Sequence, residues 1–199
     1  MVKKESKNNE ILLPNRKAFL KDVENGFFNK LVIFDISGFG NINHYYGYDF
    51  GEKILKIISV RLQERFENSQ MYYLGGDIFV ATASEDISKE RFIQTIKATT
   101  WHFGYSPIEL DGHKVYIPLR AGVAINYPEL LFCAEFALKQ TRVLKHNLVI
   151  FDSEQHQVCH PNSLTIEQDL YWEAQIIQAI KKDRFEIFAQ SISNQNDKK

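Results

Sequence analysis

Two aspartates are the residues of this sequence best placed to do chemistry. Asp35 lies near the end of an apolar run, LVIFDI, and Asp77 follows two glycines between two further apolar runs. Such runs predict buried strands, and a glycine-rich turn between two of them predicts a β-hairpin. If the strands are neighbours, both carboxylates lie at one end of a sheet. With a nucleotide's phosphates they would suit Mg²⁺, which prefers oxygen ligands and can activate a hydroxyl for in-line attack.

A purely structural interpretation of the same residues remains open. Glycine supplies the positive φ of a tight turn and aspartate favours turns, so hairpin geometry alone explains Gly75, Gly76 and Asp77. Asp35 equally suits a chain that is leaving a strand. Spacing alone therefore does not decide between a metal site and a turn.

The elements that must position these aspartates predict an α+β fold. In chain order the patterns indicate a short helix after 13–16, a strand at 31–36, a Gly-containing loop, a helix at 48–66, the hairpin at 71–83, a helix from 88, a smaller hairpin at 108–117, a strand at 119–125, a helix at 128–145 and a strand at 148–151. This order predicts a ferredoxin-like palm, whose central, mainly antiparallel sheet is flanked by helices, which we expect on one face. A helix at 165–182 and a strand at 185–189 add a C-terminal helix-strand extension.

Bulk composition excludes several classes of protein. The chain has 199 residues, of which 44% are hydrophobic, and its formal net charge of -1 argues against nucleic acid as a partner. Two cysteines are too few for a disulfide framework and favour a reducing compartment. No stretch approaches the roughly 18–20 apolar residues of a membrane span. We therefore expect a cytoplasmic chain without a membrane segment, whose parent protein could still be membrane-associated.

Several motifs, in the right order, resemble those of GGDEF domains, the diguanylate cyclase family. Taken together they are more specific than any one of them, and the chain is identified as a member whose signature has degenerated to GGDIF. The matching segments are LPNR at 13–16, DISGFGNINHYYGYDFGE at 35–52 against D-x-D-x-F-K-x-I-N-D-x-x-G-H-x-x-G-D, LGGDIF at 74–79, AGVA at 121–124 against S-x-G-I-A, and ALKQTRVLKHN at 137–147 against A-L-Y-x-A-K-x-x-G-R-N. The resemblance implies a palm of the nucleotide-cyclase type.

The resemblance also implies a metal site and the loss of a catalytic group. Asp35, the carbonyl of Ile36 and Asp77 would hold Mg²⁺ when nucleotide is bound. Ile78 replaces the acidic residue that the family uses at the metal and at the attacking 3′-hydroxyl. An aliphatic side chain neither coordinates a metal nor accepts a proton, and general-base assistance is typically worth roughly 10²–10⁴ in rate. No catalytic residue is therefore assigned.

Four further residues match the family's nucleotide contacts. Asn43 and Glu52 would meet the guanine edge of GTP, with Glu52 in place of the family's Asp. Arg142 stands where a Lys meets the triphosphate, and His146 where an Arg does. Structural alternatives without a ligand remain open: Asn43 as a turn former, Glu52 as a charge favoured at a helix start, and Arg142 as part of an exposed helix face.

Substitutions elsewhere fall mostly on the same site and on the product-inhibition site. Ser37 replaces an Asp and Gly40 a Lys of the family pattern. The family's inhibitory product site would need Arg and Asp where this chain has Phe66 and Ser69. We therefore expect product feedback at that place to be lost.

The chain divides into four predicted segments. Residues 1–12 form a polar N-terminal segment, 13–152 the GGDEF-like domain and 153–166 a linker. Residues 167–199 look like the truncated start of an EAL phosphodiesterase domain, because FEIFAQSI at 185–192 resembles f-x-L-x-Y-Q-P-I. No E-A-L metal motif follows, and a helix and strand that simply pack on the first domain remain the alternative.

Three functions follow as hypotheses from different classes. The first is a catalytically inactive module of a cyclic di-GMP signalling protein, which binds GTP and regulates an attached EAL domain. The second is an active diguanylate cyclase, which converts two GTP to cyclic di-GMP and needs a homodimer because two GTP molecules must face each other. The third is an adaptor or dimerisation module without a nucleotide.

Overall fold

The structure is a computed structural model that describes residues 11–151. The predicted linker at 153–166 and the EAL-like start at 167–199 lie outside the described residues. The described part contains five helices and seven strands. They are α1 (Arg16–Asn25), β1 (Lys30–Ile36), α2 (Phe39–Tyr46), α3 (Tyr48–Arg65), β2 (Gln70–Gly75), β3 (Ile78–Ala83), α4 (Lys89–Tyr105), β4 (Ile108–Leu110), β5 (His113–Val115), β6 (Leu119–Ile125), α5 (Leu130–Leu144) and β7 (Leu148–Ile150).

The central sheet has five strands in the order β2-β3-β1-β6-β7, and β4 and β5 form a separate hairpin. Only the pairing of β6 with β7 is parallel among the four in the central sheet. The predicted α+β palm with a mainly antiparallel sheet is therefore confirmed. No helix within residues 11–151 is long and apolar enough to cross a membrane.

Helices cover both faces of this sheet, so the expectation that they lie on one face is wrong. On one face the ring of Phe34 in β1 lies 5.7 Å from that of Phe66, which in turn lies 6.3 Å from Phe92 of α4. On the other face α5 packs so closely on β6 that a Cβ at Gly122 would collide with backbone atoms of α5. Every residue of β1 is buried, and a continuous apolar run is typical of a strand that is covered on both sides.

The segment after β1 is also helical where the sequence predicted only a loop. Helix α2 begins after Gly38, at φ 75°, and ends before Gly47, at φ 91°. Both glycines adopt left-handed or extended positive-φ backbone that other residues avoid. Phe39 and Ile42, three residues apart, are buried, and their burial outweighs the low helix propensity of Gly40 within the helix.

The LPNR segment at 13–16 and the residue before α4 have clear structural roles. Asn15 Oδ1 accepts a hydrogen bond from the Ala18 amide at 3.1 Å and so caps α1. The Tyr73 amide donates to the Pro14 carbonyl at 2.9 Å, which ties the entry segment to β2. Ser88, where the sequence predicted a helix to begin, caps α4 through a 3.2 Å hydrogen bond from the Arg91 amide.

Candidate functional site

The candidate site is centred on a row of three side chains that crosses the sheet. Asp35 in β1 is the direct partner of Ile78 in β3 and of Arg120 in β6. Residues directly opposite each other in antiparallel strands project to the same face. This is the face that α5 covers, because Gly122, two residues beyond Arg120 in β6, lies against α5. Asp35 is nearly inaccessible at this place, with 3% of its surface exposed.

Arg120 holds the carboxylate of Asp35. Its Nε donates a hydrogen bond to Asp35 Oδ2 at 2.9 Å, and its Nη2 lies 2.7 Å from the same oxygen. Hydrogen bonds between ionised groups of this kind are shorter and stronger than neutral ones. Arg142, near the C-terminal end of α5, contributes a second guanidinium 3.5 Å from Asp35 Oδ2, although its side chain is 67% exposed.

Asp77 converges on Asp35, as the topology predicted. The amide of Ile36, next to Asp35, donates to the carbonyl of Asp77 at 3.1 Å. Burial raises the pKa of Asp77, and the charge of Asp35 and a hydrogen bond between the two carboxyl groups raise it further, while Arg142 acts in the opposite direction. Asp77 therefore holds a proton more readily than an exposed aspartate does. The predicted metal roles of Asp35, Ile36 and Asp77 stay predictions.

A buried amide oxygen marks the predicted guanine side of the site. Asn43, in α2, has its Oδ1 buried with no hydrogen-bond partner. The oxygen lies directly over Gly51 of α3, where a Cβ would collide with it. Buried acceptors are nearly always paired, so a ligand that supplies an N–H group here would remove an energetic deficit.

Tyr73 connects this side of the site with the aspartates, a role that was not predicted from the sequence. Burial raises its pKa, and the negative charges of Asp77 and Glu52 raise it further, so Tyr73 lies within electrostatic reach of both. Its hydroxyl donates to the carbonyl of Gly76 at 3.1 Å, which fixes it against the signature turn. Glu52 is exposed, on the residue after Gly51.

His146 lies beyond the end of α5, and its contact with the triphosphate stays a prediction. Its amide donates to the carbonyl of Thr141 at 3.1 Å, after Lys145 has closed the helix in left-handed backbone at φ 55°. The side chain of His146 is exposed. Of the two residues predicted to contact the triphosphate, Arg142 and His146, only Arg142 forms an ion pair with Asp35 within residues 11–151.

The donor set does not fit the magnesium site of the resemblance. Within residues 11–151 no group of three or more His, Cys, Asp and Glu side chains is placed to hold a metal ion. Asp35 already accepts two contacts from Arg120, and the side chain of Ile78 on its other side offers no ligand atom for a metal. Mg²⁺ needs oxygen ligands in near-ideal octahedral geometry. The buried carboxylate that would anchor the ion is held by a guanidinium instead.

Arg120 is the main site residue that sequence reasoning missed. Its signal was present, because it is the only charged residue in the strand LRAGVAI. When Gly122 is aligned with the glycine of the family motif S-x-G-I-A, Arg120 also falls on the serine of that motif. A cation in place of a small hydroxyl, on a buried strand beside the signature, indicates a changed site.

Phe66 stands where the family's product-inhibition site would need an Arg. Phe66 is 3% exposed and its ring packs between those of Phe34 and Phe92, so it is a core residue. It cannot supply the charged contact that an Arg would make there. Loss of feedback itself stays a prediction.

A cavity of about 820 Å³ lies away from these residues. It lies between the end of α1 and the start of α5, where its lining includes Val23, Phe28, Tyr127 and Leu131. Asn29, which also lines it, precedes the first residue of β1, whereas Asp35 is near the last. The cavity therefore lies at the opposite end of the strand from the candidate site.

Comparison with known proteins gives one family and one curated relative. The family model described as "Diguanylate cyclase, GGDEF domain" matches residues 12–142, which is more than half of the chain. The chain is 29% identical over 196 residues to the cyclic di-GMP phosphodiesterase NbdA of Pseudomonas aeruginosa. That alignment covers 90% of this chain and 24% of the relative, so the chain spans about a quarter of that protein's length.

Solved structures with the same fold include two GGDEF domains. The GGDEF domain of DgcB from Caulobacter crescentus, in complex with c-di-GMP, has a TM-score of 0.64 and 18% identity, covering 77% of this chain and 97% of that one. The FimX GGDEF domain from Pseudomonas aeruginosa has a TM-score of 0.64 and 16% identity, covering 70% and 95%. At these identities the likeness shows the fold.

Proposed function

The chain belongs to the diguanylate cyclase family of GGDEF domains, and from this premise we propose that it is a catalytically silent member that binds a guanine nucleotide and acts as a regulatory module in cyclic di-GMP signalling. One observation carries the proposal: Asp35 is buried between Arg120, which holds its carboxylate, and Ile78, whose side chain has no polar atom. The residues predicted to contact the guanine base are present, whereas the groups that would bind the metal or accept the proton are paired or replaced.

Loss of catalysis follows from what the transfer of a nucleotidyl group requires. Metal ions normally neutralise the triphosphate, and a positioned group takes the proton from the attacking hydroxyl. Here Asp35 is paired with Arg120, so the carboxylate that would hold the metal is engaged by a guanidinium. Ile78 cannot act as a base, which alone removes roughly 10²–10⁴ in rate.

Guanine is the base that the remaining groups favour. The amide oxygen of Asn43 and the carboxylate of Glu52 are both hydrogen-bond acceptors. Guanine carries a ring N–H and an exocyclic amino group side by side, whereas adenine presents a ring acceptor beside its amino group. Two acceptors therefore discriminate for guanine, and the unpaired Oδ1 of Asn43 supports this use. Arg142 would meet the phosphates.

An attached EAL domain is part of the proposal. The relative NbdA is a cyclic di-GMP phosphodiesterase, and the alignment with it covers 90% of this chain, so the similarity extends beyond residue 151. This supports residues 167–199 as the start of an EAL domain, and we propose a cytoplasmic location for the chain. Nucleotide binding would regulate that domain by stabilising one arrangement of the two, as differential binding requires.

Calorimetric titration of the full chain tests nucleotide binding. GTP should bind and ATP should bind at least about tenfold more weakly, since a site built for hydrogen bonds rejects an analogue that cannot make them. The variant Asn43→Ala should lose affinity for GTP, while Asn25→Ala, at the exposed end of α1, should retain it. No heat with GTP at millimolar concentration would remove the proposal and leave the adaptor hypothesis.

An active cyclase is the second candidate, because Asp35 and Asp77 do converge. Mg²⁺ could then bind only after Arg120 had released Asp35. Cyclic di-GMP formed from GTP in a chromatographic assay, and abolished by Asp77→Ala, would establish this function. We expect no product above the protein-free background.

A further inference from the structure

We propose that Arg120 is a built-in cation that takes the place of the divalent metal at Asp35, so that this domain excludes divalent ions from its aspartate pair and binds nucleotide phosphate without them. The guanidinium and not a metal would then be the positive charge that faces the phosphates. The exclusion of metal goes beyond the proposed function and does not depend on it. Only the phosphate contact rests on nucleotide binding.

The first step of the argument is geometric. Both Nε and Nη2 of Arg120 lie within 2.9 Å of Asp35 Oδ2, and the side chain of Asp35 is only 4% exposed. A metal ion that used this oxygen would have to occupy the same space as the guanidinium. Two nitrogens of the planar guanidinium contact this one oxygen, and therefore a small rotation of one bond does not vacate the position.

The second step is the balance of charge. Two aspartates without partners would attract a divalent cation strongly. Here the guanidiniums of Arg120 and Arg142 lie 2.7 and 3.5 Å from Asp35 Oδ2 and offset the charges of Asp35 and Asp77. An incoming Mg²⁺ would meet two positive groups at short distance, in a partly buried place where such repulsion is poorly screened.

The third step concerns what Arg120 can still bind. A guanidinium has five N–H groups, and the contacts with Asp35 use one on Nε and one on Nη2. The side chain of Arg120 is 23% exposed, so part of it is accessible from outside. Arginine recognises phosphate oxygens through this planar set of donors. Arg120 can therefore join Asp35 to a phosphate, which is the bridging role that a metal ion has in other sites.

Binding of Mn²⁺, followed by electron paramagnetic resonance on the full chain without nucleotide, tests the exclusion of metal. The unchanged chain should show no saturable site, whereas Arg120→Ser should gain one, at least about tenfold tighter than any residual binding. The added change Asp35→Asn should remove that site again. Arg91→Ser, which removes an exposed arginine of α4, is the matched control and should behave as the unchanged chain does.

Removal of Arg120 leaves a buried carboxylate without a partner, so the folded state of each variant is checked by circular dichroism. A folded Arg120→Ser chain without a new Mn²⁺ site would overturn the proposal. If this variant does not fold, the unchanged chain decides the question. One Mn²⁺ bound at micromolar concentration and lost in Asp77→Ala would overturn it, and no bound Mn²⁺ would support it.

Titration of the unchanged chain with GTP in EDTA and then in Mg²⁺ tests the phosphate contact. The same affinity in both buffers is the expected result. Affinity at least about tenfold weaker in EDTA would overturn the contact, because the metal would then carry the phosphates. No binding of GTP in either buffer would refute the proposed function and, with it, this contact, while the Mn²⁺ result would still stand.

Discussion

Arg120 and Asp35 face each other across the pairing of β6 with β1, and the guanidinium gives both of its contacts, at 2.9 and 2.7 Å, to one carboxylate oxygen. The two residues are 85 positions apart in the chain. Because Asp35 is buried, Arg120 satisfies a charge that would otherwise be costly to hold inside the protein.

Removing one partner of this pair should therefore destabilise the fold. We expect Arg120→Ala to lower the free energy of unfolding by about 3 kcal/mol, since the loss leaves an uncompensated buried charge. Urea denaturation followed by circular dichroism measures the change. The double variant Asp35→Leu/Arg120→Leu should recover much of it, because an apolar pair of similar size avoids the unpaired charge.

An exposed ion pair provides the control for that measurement. Lys114 and Glu109 lie 2.9 Å apart with side chains 70% and 68% exposed. Lys114→Ala should leave the unfolding midpoint unchanged, because solvent screens exposed pairs. Equal losses for Arg120→Ala and Lys114→Ala would contradict the assignment of a special role to the buried pair.

The close approach of α5 to β6 makes a second prediction at Gly122. A Cβ there would collide with the carbonyl of Ala134 and with the backbone of Leu138, neither of which can move without shifting the helix. Gly122→Ala should therefore lower the free energy of unfolding by at least about 2 kcal/mol through overpacking. Thermal and urea denaturation measure the loss.

Gly104 offers a matched control for this substitution. It lies in α4, and a Cβ there would have no atom within 4 Å. Gly104→Ala should stabilise the protein by roughly 0.5–1 kcal/mol, since alanine restricts the unfolded chain and suits a helix. If both alanines had the same effect, the packing of α5 on β6 would be looser than the structure has it.

Gly51 gives a third prediction, which separates nucleotide binding from stability. A Cβ at Gly51 would displace the side chain of Asn43, whose amide can rotate, so that the folded state survives. Gly51→Ala should weaken GTP binding about as much as Asn43→Ala does. The loss of GTP affinity in the double variant should be no larger than in either single variant. Gly40→Ala in α2, with open space around its Cβ, is the control and should keep GTP affinity.

The outcome for Gly51 also tests the role of Asn43. Full GTP affinity in a folded Gly51→Ala chain would mean that the buried oxygen of Asn43 is not a ligand contact. Additive losses in the double variant would mean that the two residues act separately. After either result, the contacts of the guanine base would have to be sought among other residues.

Local patterns were enough to predict most elements and the convergence of the two aspartates. The run LVIFDI is typical of a buried strand and the glycine turn of a hairpin, and the palm topology that the order of elements predicts places that strand beside the hairpin. The pair Arg120–Asp35 was not predictable in this way. It depends on the register of β6 against β1, which tertiary packing sets and spacing does not reveal.

Helix α2 is an element that local patterns in the sequence did not predict. Three residues of the segment from Gly38 to Asn41 disfavour helices by composition, so local propensity predicted a loop. Burial of Phe39 and Ile42 in the hydrophobic core decides the outcome instead. A contact with the core is not visible in a window of eight residues, and for that reason the guanine-side residue Asn43 was predicted without its helix.

Tyr72 gives a final prediction, on the dependence of stability on pH. Its hydroxyl donates to Asp22 Oδ2 at 2.8 Å, and burial together with this hydrogen bond raises the pKa of Tyr72 to about 12 from an ordinary value of 10.0. Below pH 10 the phenol is neutral in both the folded and the unfolded chain, so its contribution to stability is fully present. As the pH rises from 10 towards 12, the unfolded chain loses this proton first and the contribution is lost. The difference in free energy of unfolding between the unchanged chain and Tyr72→Phe should therefore be constant up to pH 10 and shift against the unchanged chain above it. Urea denaturation at a series of pH values measures this difference, and a difference independent of pH up to 12 would show that Tyr72 ionises as an exposed tyrosine does.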